Sequence, residues 1–439
     1  MNRGLNGDDG RALGGEAMLD ARERRSRRQR AMLNQLSGGA GCLLCLTMNI
    51  AGAVKRTPLI RLLFDEGVRL FEDLHIPVLS RQVLDEQTGP EAFWLVAAGA
   101  EEVKQAARRL EDRFPAARLF DFDVLDGDGQ KLSRPAARAC LICSGPAVLC
   151  ARSRRHGLPA LQEATERLLR DFAGEQLARC AHSALLGELY TTPKPGLVDR
   201  SNCGAHSDMD LPLFEASARS LYPYFVEAAK LGMAACEPEG LRQAGREGEA
   251  AMFSATGGVN THKGMVYSMG LLLYGMGKAL TSGGDACLLA GAMARADELE
   301  APRRGPASTT NGGRVRARYG VGGILEEAAA GFPHGQFASR RIAFYRRLGA
   351  SNPEALTLCD LMAELEDTNL LHRGGWEGLT FVRSRAKAIG TRPVTEREQA
   401  LWELDRELIT RRLSPGGSAD MLALGLFLCS WEKLSSSLF

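Results

Sequence analysis

Residues 154–161 read RRHGLPAL. A basic run ends on Gly157, and Pro159 fixes the turn that follows, a combination that separates elements. The hydrophobic pattern differs on the two sides. Upstream, CLLCLTMNI at 42–50 is a short apolar run between glycines and reads as a buried strand. Residues 76–79 and 93–97 read as strands as well. ARLFDFDVL at 117–125 alternates apolar and acidic residues, as a half-buried strand does. Stretches 18–36, 59–74 and 101–114 are helix-compatible. Downstream, strand signals stop and apolar residues recur at helical spacing over 161–190, 213–232, 241–253, 263–280, 286–299, 353–370, 395–412 and 419–434. The expectation is two domains, an α+β domain over 1–158 and an all-α domain over 159–439. The Gly/Pro/Ser/Thr-rich segment 301–313 is expected to be a surface loop.

A chain of 439 residues suits two domains. Its 55 Lys and Arg balance 53 Asp and Glu, a net charge of +2 that lacks the basic excess of a nucleic-acid-coating protein. The 45% hydrophobic content supplies large cores and argues against dominant disorder. Eleven cysteines, an odd number, follow a start (MNRGLNGDDG) without an apolar secretory core, so a reducing cytoplasm is expected. The longest apolar runs, 39–54 and 419–429, fall short of the ~20 residues of a membrane span.

Four loops of the helical part are rich in chemistry. TPKPGLVDRSNCGAHSDMD at 192–210 carries Lys194, Asp199, Arg200, His206, Asp208 and Asp210 on a backbone stiffened by prolines. ATGGVNTHKG at 255–264 puts Gly257, Gly258, Asn260 and Lys263 ahead of an apolar helix, an arrangement that suits an anion. DTNLLHRGG at 367–375 offers Asp367, Arg373 and Gly374, and LSPGGSAD at 413–420 offers Gly416, Gly417 and Asp420. Each loop alone equally suits a capped turn: Ser207 or Asp208 before one helix, Asn260 and Thr261 before another. Together they suit a phosphate-rich small-molecule site, with glycines giving close approach, cations neutralising phosphate and carboxylates holding Mg²⁺.

In order and spacing, TPKPGLVD, NCGAHSDMD, ATGGVNTHKG, AAAGFP (328–333), DTN, RGG and LSPGGSAD resemble the triphosphoribosyl-dephospho-CoA synthase family of the citrate lyase system. The resemblance covers about 177–427. It implies that ATP is joined to 3′-dephospho-CoA, the ribose 2′-hydroxyl attacking C1 of the ATP ribose and adenine leaving. It further implies that Lys194, Gly257, Gly258, Asn260, Lys263, Arg373, Gly374, Gly416 and Gly417 bind nucleotide and phosphate. Asp199, His206, Asp208 and Asp367 would be catalytic, and Asp210 would bind metal. Mg²⁺ is the expected cofactor. One departure stands out: Leu325 and Glu326 occupy the place of the family's Arg-Gly pair.

The first part carries Asp121 and Asp123, which share one face if their segment is a strand and so can share a cation. A solvent-facing acidic strand with Asp126 and Asp128 in its turn is the plainer reading. Cys140 and Cys143 with Cys150 suggest a metal knuckle, as do Cys42 and Cys45; two such pairs would make a Cys₄ zinc site. Cys42 and Cys45 sit in an apolar strand, however, where residues three apart face opposite sides, and buried thiols are the default. The run RERRSRRQR at 22–30 is a basic helix face.

ARERRSRRQ (21–29), LTMNIAGAVK (46–55), RLFDFDVLDGDGQKLSR (118–134) and CLICSGPAVLCARSRRH (140–156) resemble the citrate lyase holo-acyl-carrier-protein synthase family. That family moves the phosphoribosyl-dephospho-CoA group to a serine of the lyase's acyl carrier (gamma) subunit and releases pyrophosphate. The resemblance implies a nucleotidyltransferase-like domain with metal at Asp121 and Asp123 and phosphate at Arg134 and Arg152, with Lys55 assisting. Ala51-Gly52 stands where the family favours Pro-Gly, and the 134–139 loop is shortened. The two resemblances reinforce each other, because the product of one part is the substrate of the other. The expectation is a fused enzyme that makes and attaches the citrate lyase prosthetic group, with no nucleic-acid or membrane partner. Two rivals are the equivalent pair serving malonate decarboxylase, decided by carrier preference, and a regulator that binds metal or carrier without turnover, favoured by the Leu325-Glu326 departure.

Overall fold

A computed structural model describes residues 14–36, 41–134, 137–143, 145–300 and 311–438. The chain divides into two compact units, Met1–Ala173 with Ser436–Phe439, and Gly174–Ser435.

In the first unit the elements are α1 (Gly15–Leu33), β1 (Cys42–Met48), α2 (Pro58–Glu72), β2 (Val78–Glu86), β3 (Gly89–Val96), α3 (Ala100–Glu111), a 3₁₀ turn at Pro115–Leu119, β4 (Phe120–Leu125) and α4 (Ala147–Arg152). The four strands form an antiparallel sheet in the order β2-β3-β1-β4. β1 lies inside the sheet, which is why CLLCL is buried throughout. Its residues alternate between two helical layers. Leu43 and Cys45 pack with Met32 and Leu33 of α1, together with Phe93, Leu95 and Leu125. On the other face Gly67 of α2 lies against Leu46 and Phe120, where an added Cβ would come within 3.0 Å of Leu46 and 2.9 Å of Phe120. α2 begins where Thr57 accepts a hydrogen bond from the Ile60 N–H (3.2 Å) and Pro58 supplies a preset φ.

The basic run of α1 is largely committed. Arg25 and Arg28 both face the buried carboxylate of Glu91, and Arg24 reaches Glu86. Two strands extend differently from the sequence expectation. The signal at 76–79 is the start of a strand running to Glu86, and the one at 93–97 is the end of a strand starting at Gly89. β2 is mostly solvent-exposed, so its hydrophobic pattern is faint.

α5 (Leu158–Tyr190) carries the chain through the division between the units, at Ala173 and Gly174. The sequence expectation placed that division at 158/159. The second unit is helical: α6 (Leu211–Ser220), α7 (Tyr222–Met233), α8 (Pro238–Ala255), α9 (Lys263–Ser282), α10 (Ala286–Glu300), α11 (Asn311–Tyr319), α12 (Gly323–Ala329), α13 (Pro333–Arg347), α14 (Pro353–Glu364), α15 (Thr368–Gly390), α16 (Val394–Arg411) and α17 (Gly416–Ser435). α9 is buried almost end to end. It reaches α7 through glycines: a Cβ on Gly277 would sit 2.1 Å from the Ala229 carbonyl, and one on Gly232 2.1 Å from that of Tyr274. Such close backbones are open only to glycine.

The expected loop at 301–313 lies outside the described residues up to 310, and 311–313 open α11. The helix read over 353–370 is two helices, because Asp367 caps a new one at Thr368. Among the described residues, no helix is long and apolar enough to cross a membrane.

Candidate functional site

The second unit contains a cavity of about 1560 Å³ onto which α9, α12, α13, α15 and α17 all begin. Each beginning leaves backbone N–H groups and the positive end of a helix dipole at the wall.

α5 ends in LLGELY, and Glu188 there meets the 192–199 loop. Lys194, 3% exposed, donates from Nζ to Glu188 Oε1 at 2.6 Å. The loop is braced from within by Asp199. One of its oxygens accepts from the Lys194 N–H (3.0 Å), and the other from the Ser201 N–H and hydroxyl and the Asn202 N–H. Asp199 does not line the cavity. Gly196 has φ 74° and donates its N–H to Asp405 Oδ1 at 2.9 Å.

His206 joins three of the four loops. Arg373 donates from Nη2 to His206 Nδ1 at 3.1 Å, so the neutral ring carries its proton on Nε2 and donates it to Ser414 Oγ at 2.9 Å. Burial, and then the Arg373 charge, hold His206 below the ordinary histidine range. Asp208 lines the cavity with a mostly exposed side chain, its Oδ1 3.9 Å from His206 Nδ1. Asp210, expected to bind metal, caps α6 by accepting from the Leu213 N–H (3.0 Å) and is not part of the cavity wall. The helix cap expected of Ser207 or Asp208 is therefore Asp210.

In the 255–264 loop, Gly258, Asn260 and Lys263 line the cavity and Gly257 does not. The Gly258 N–H closes the end of α8 on the Phe253 carbonyl (2.8 Å), so it does not form the expected anion nest. Asn260 accepts from the Lys263 N–H at 3.3 Å, and Lys263 pairs with Glu249 at 3.0 Å. His262 is buried with Nδ1 2.7 Å from Ser217 Oγ; burial, and then Lys194, push it down to about 3. It is a neutral ring at any working pH.

Asp367 ties two helix starts together. Its Oδ1 accepts from the Asn369 (2.9 Å) and Leu370 (3.3 Å) N–H groups of α15, its Oδ2 from the Ser418 N–H (2.8 Å) and hydroxyl (3.0 Å) of α17. Gly416 and Gly417 permit this: a Cβ on Gly416 would stand 2.5 Å from Asn369 Nδ2, one on Gly417 3.1 Å from Asp367 Cγ. Gly374 packs on Leu413 and does not line the cavity. Asp420, in the second turn of α17, lies against the start of α9, 2.7 Å from where a Gly264 Cβ would be. Burial, and then the charges of Glu188 and Asp367, raise its carboxyl well above the usual range against the opposing pull of Lys194.

The cavity therefore gathers residues of all four loops: Lys194, His206, Asp208, Gly258, Asn260, Lys263, Asp367, Arg373, Gly416 and Gly417 among the sequence candidates. Among the described residues its wall holds nine carboxylates against four Lys or Arg side chains. The sequence reading did not select Glu188, Glu249, Glu364, Glu366 or Asp420 as site residues. Glu188 carries a signal, a lone acid in an apolar helix end, and Glu249 carries none. Leu325 and Glu326 also lie on the wall, with Glu326 folded back on Gly322.

In the first unit Asp121 and Asp123 share a face of β4, opposite Thr47 and Cys45 of β1. Asp123 pairs with Lys131 at 2.6 Å, and Asp121 stands 3.8 Å from Arg138. Arg134 and Arg138 both pair with Glu111, a buried carboxylate that also accepts from the Phe122 N–H. Arg134, expected at a phosphate, is thus occupied by Glu111, and burial pushes its guanidinium down to about 10. Arg152 ends α4 and is exposed. Lys55 Nζ donates to the Ile50 carbonyl at 2.5 Å.

Comparison with known proteins follows the same two-part division. Residues 15–172 match the family of apo-citrate lyase phosphoribosyl-dephospho-CoA transferases, and residues 174–438 match the ATP:dephospho-CoA triphosphoribosyl transferases. A protein named CitXG from Haemophilus influenzae is 34% identical over 97% of both chains. A 2-(5″-triphosphoribosyl)-3′-dephosphocoenzyme-A synthase of Haemophilus ducreyi is 36% identical, covering 66% of this chain and 99% of its own. A probable synthase of the same kind from Pseudomonas putida is 43% identical over 58% of this chain and 94% of its own. The crystal structure of a putative triphosphoribosyl-dephospho-CoA synthase from Archaeoglobus fulgidus aligns with 49% of this chain and 96% of its own, at 19% identity and a TM-score of 0.34. The chain belongs to the fused transferase family of citrate lyase prosthetic-group synthesis, in which the triphosphoribosyl transferase and the phosphoribosyl-dephospho-CoA transferase share one polypeptide.

Proposed function

We propose that the cavity of the second unit joins ATP to 3′-dephospho-CoA and releases adenine, and that the first unit passes the phosphoribosyl-dephospho-CoA group to a serine of the citrate lyase acyl carrier subunit, releasing pyrophosphate. The observation that carries the first half is the cavity itself. At about 1560 Å³ it exceeds the 300–1,000 Å³ of a single drug-sized site and suits two nucleotide-sized substrates.

Lys263, Arg373 and the surrounding helix N-termini take the phosphates. Lys194 is already matched by Glu188, so it sets the local field more than it binds substrate. With nine carboxylates on the wall, a bare triphosphate would be repelled, and Mg²⁺ supplies the missing positive charge. Mg²⁺ is typically held by one or two carboxylates plus substrate phosphates. The cavity carboxylates fit that role, and Asp210 on the α6 cap does not. Asp420, whose surroundings favour its protonated form, donates to the departing adenine. His206, kept neutral, accepts the proton of the attacking 2′-hydroxyl once Arg373 turns from Nδ1 to phosphate. One proton is lost and one gained, so the step balances. Asp199 and Asp367, whose oxygens are filled by protein donors, are positioning residues.

In the first unit, a nucleotidyltransferase-like domain over the α+β part, Asp121 and Asp123, now paired with Lys131 and near Arg138, would hold the metal, and Arg152 would meet the phosphates. The enzyme works in the cytoplasm, where its nucleotide substrates are. The test is mass spectrometry of the purified chain with ATP, Mg²⁺, 3′-dephospho-CoA and apo carrier. Free adenine and a carrier heavier by the phosphoribosyl-dephospho-CoA group are expected. No adenine refutes the cavity assignment. Adenine with an unmodified carrier refutes the carrier assignment, and modification of a malonate decarboxylase carrier in its place would identify the true acceptor.

A further inference from the structure

The segment from Cys140 to His156 is held together unlike the rest of its unit. Its described residues form one six-residue helix, and Pro146 bridges back to Ala139 just before the segment. It turns apolar side chains outward: Ile142, Val148 and Leu149 are 40%, 50% and 59% exposed. It turns thiols inward: Cys140 and Cys150 are buried and Cys143 half-buried. Hydrophobic burial does not account for that arrangement.

The backbone brings the inward groups together. The Cys140 N–H donates to the Gly145 carbonyl (2.8 Å), closing a tight loop that carries Cys143. The Ile142 N–H points at Cys140 Sγ (3.5 Å), a donor suited to a thiolate. After α4, Arg154 takes a positive φ of 48° and the Arg155 N–H returns to the Cys150 carbonyl (3.1 Å), which brings His156 back to the cysteines. One ligand atom from each of Cys140, Cys143, Cys150 and His156 lies within 4.8 Å of every other. Cys143 Sγ is 3.6 Å from Cys150 Sγ and 3.3 Å from His156 Nε2. A disulfide would need about 2.05 Å. A tetrahedron with Zn–S of about 2.3 Å and Zn–N of about 2.05 Å has S···S edges of about 3.8 Å and S···N edges of about 3.6 Å.

We propose that Cys140, Cys143, Cys150 and His156 bind one structural zinc ion. Three soft thiolates and an imidazole select zinc over the hard cations of the nucleotide chemistry, and four protein ligands leave no open position for catalysis. Cys42 and Cys45, the other pair in the sequence, are in β1 and take no part. The fourth ligand is the histidine at the end of CARSRRH. Cys150 and His156 bracket Arg152, Arg154 and Arg155, so the metal sets the turn that presents these cations. That consequence rests on the phosphate role assigned to Arg152; the metal site itself does not.

Elemental analysis of the full chain, purified after growth with zinc and dialysed, is expected to give about one zinc per chain, with X-ray absorption showing three sulfurs and one nitrogen. Cys143→Ser and His156→Ala are expected to lose the metal, and Cys236→Ser to keep it. His156→Cys is expected to keep it with four sulfurs. Adenine release reports that the second unit of each variant is folded, and amide-exchange protection of β1 and β4 reports the same for the first. A wild-type chain without zinc after loading overturns the proposal. So does zinc retained by both Cys143→Ser and His156→Ala, or a sulfur-free absorption spectrum. A reduced, metal-free chain that takes up no zinc, yet closes a Cys143–Cys150 disulfide under mild oxidant, also overturns it and makes the cluster a redox pair.

Discussion

Asp420 is the residue on which the proposed chemistry turns, and its protonation can be read without turnover. Its folded carboxyl titrates above the unfolded value of about 3.9. Below that value both states hold the proton. As pH rises further the unfolded chain releases it first and the native chain keeps it, so the residue costs stability increasingly from the unfolded value up to the folded one and no more beyond it. Asp420→Asn cannot ionise. The Asn variant is expected to match or exceed the parent in Tm, by a margin that grows as pH rises from the unfolded carboxylate value toward the raised folded one, while adenine release falls about 10²- to 10⁴-fold. A variant of full activity, or a Tm margin that shrinks with pH, sinks the assignment. Asp420 also shows the limit of reading residues by type. Lys194, His206, Lys263 and Arg373 could be placed at the cavity from sequence because a cation or histidine in a Gly/Pro-stiffened loop has few structural uses. Aspartates are ambiguous: the Asp that caps a helix and the Asp that faces a substrate look alike in a string. Asp199 and Asp210 resemble site residues and are a loop brace and a cap.

At the scale of elements, Asp367 joins the first turns of α15 and α17, and both turns form the cavity wall. Asp367→Ala removes a cap worth about 1 kcal/mol. It also strips partners from the buried Ser418 N–H and hydroxyl, at about 1–3 kcal/mol. A loss of about 2–4 kcal/mol in denaturant unfolding is expected, with Asp367→Asn intermediate because its amide offers one accepting oxygen. A positioning residue should raise the KM for ATP more than it lowers kcat; a pure kcat loss would make Asp367 catalytic. The helices themselves were legible where one face is apolar, as in α2, or where the whole run is, as in α9. α15 was hidden because HRGG looks like a loop: Gly375 has φ 59° and kinks the chain, yet the helix resumes on the far side. α13 was hidden by four arginines in FASRRIAFYRR, although its buried face packs on α17. β1 and β4 were legible because one is apolar throughout and the other alternates.

Across the whole molecule, the composition switch near 154–161 announced two kinds of unit, but the chain passes between them inside α5, and a continuous helix hides a division from any reading of turns. Covalent linkage has a kinetic consequence that depends only on both active sites belonging to one chain. An intermediate released by the second unit is expected to meet the first at an effective concentration above that of the enzyme in bulk for as long as it takes to diffuse away. Isotope competition tests this. ATP labelled in its ribose is supplied together with unlabelled ready-made intermediate, and label is counted on the carrier, since adenine leaves and the ribose stays. The intact chain is compared with an equimolar mixture of two full-length variants, Asp420→Asn and the double variant Asp121→Asn/Asp123→Asn. In the mixture every intermediate must cross solution, so the label on the carrier is expected to equal that of the bulk pool. In the intact chain it is expected to exceed the pool severalfold, and the excess should persist as unlabelled intermediate is raised toward the effective concentration and vanish beyond it. Equal labelling in both samples would mean that the intermediate equilibrates with solution before transfer, and that the fusion secures matched expression of the two activities without any gain in rate.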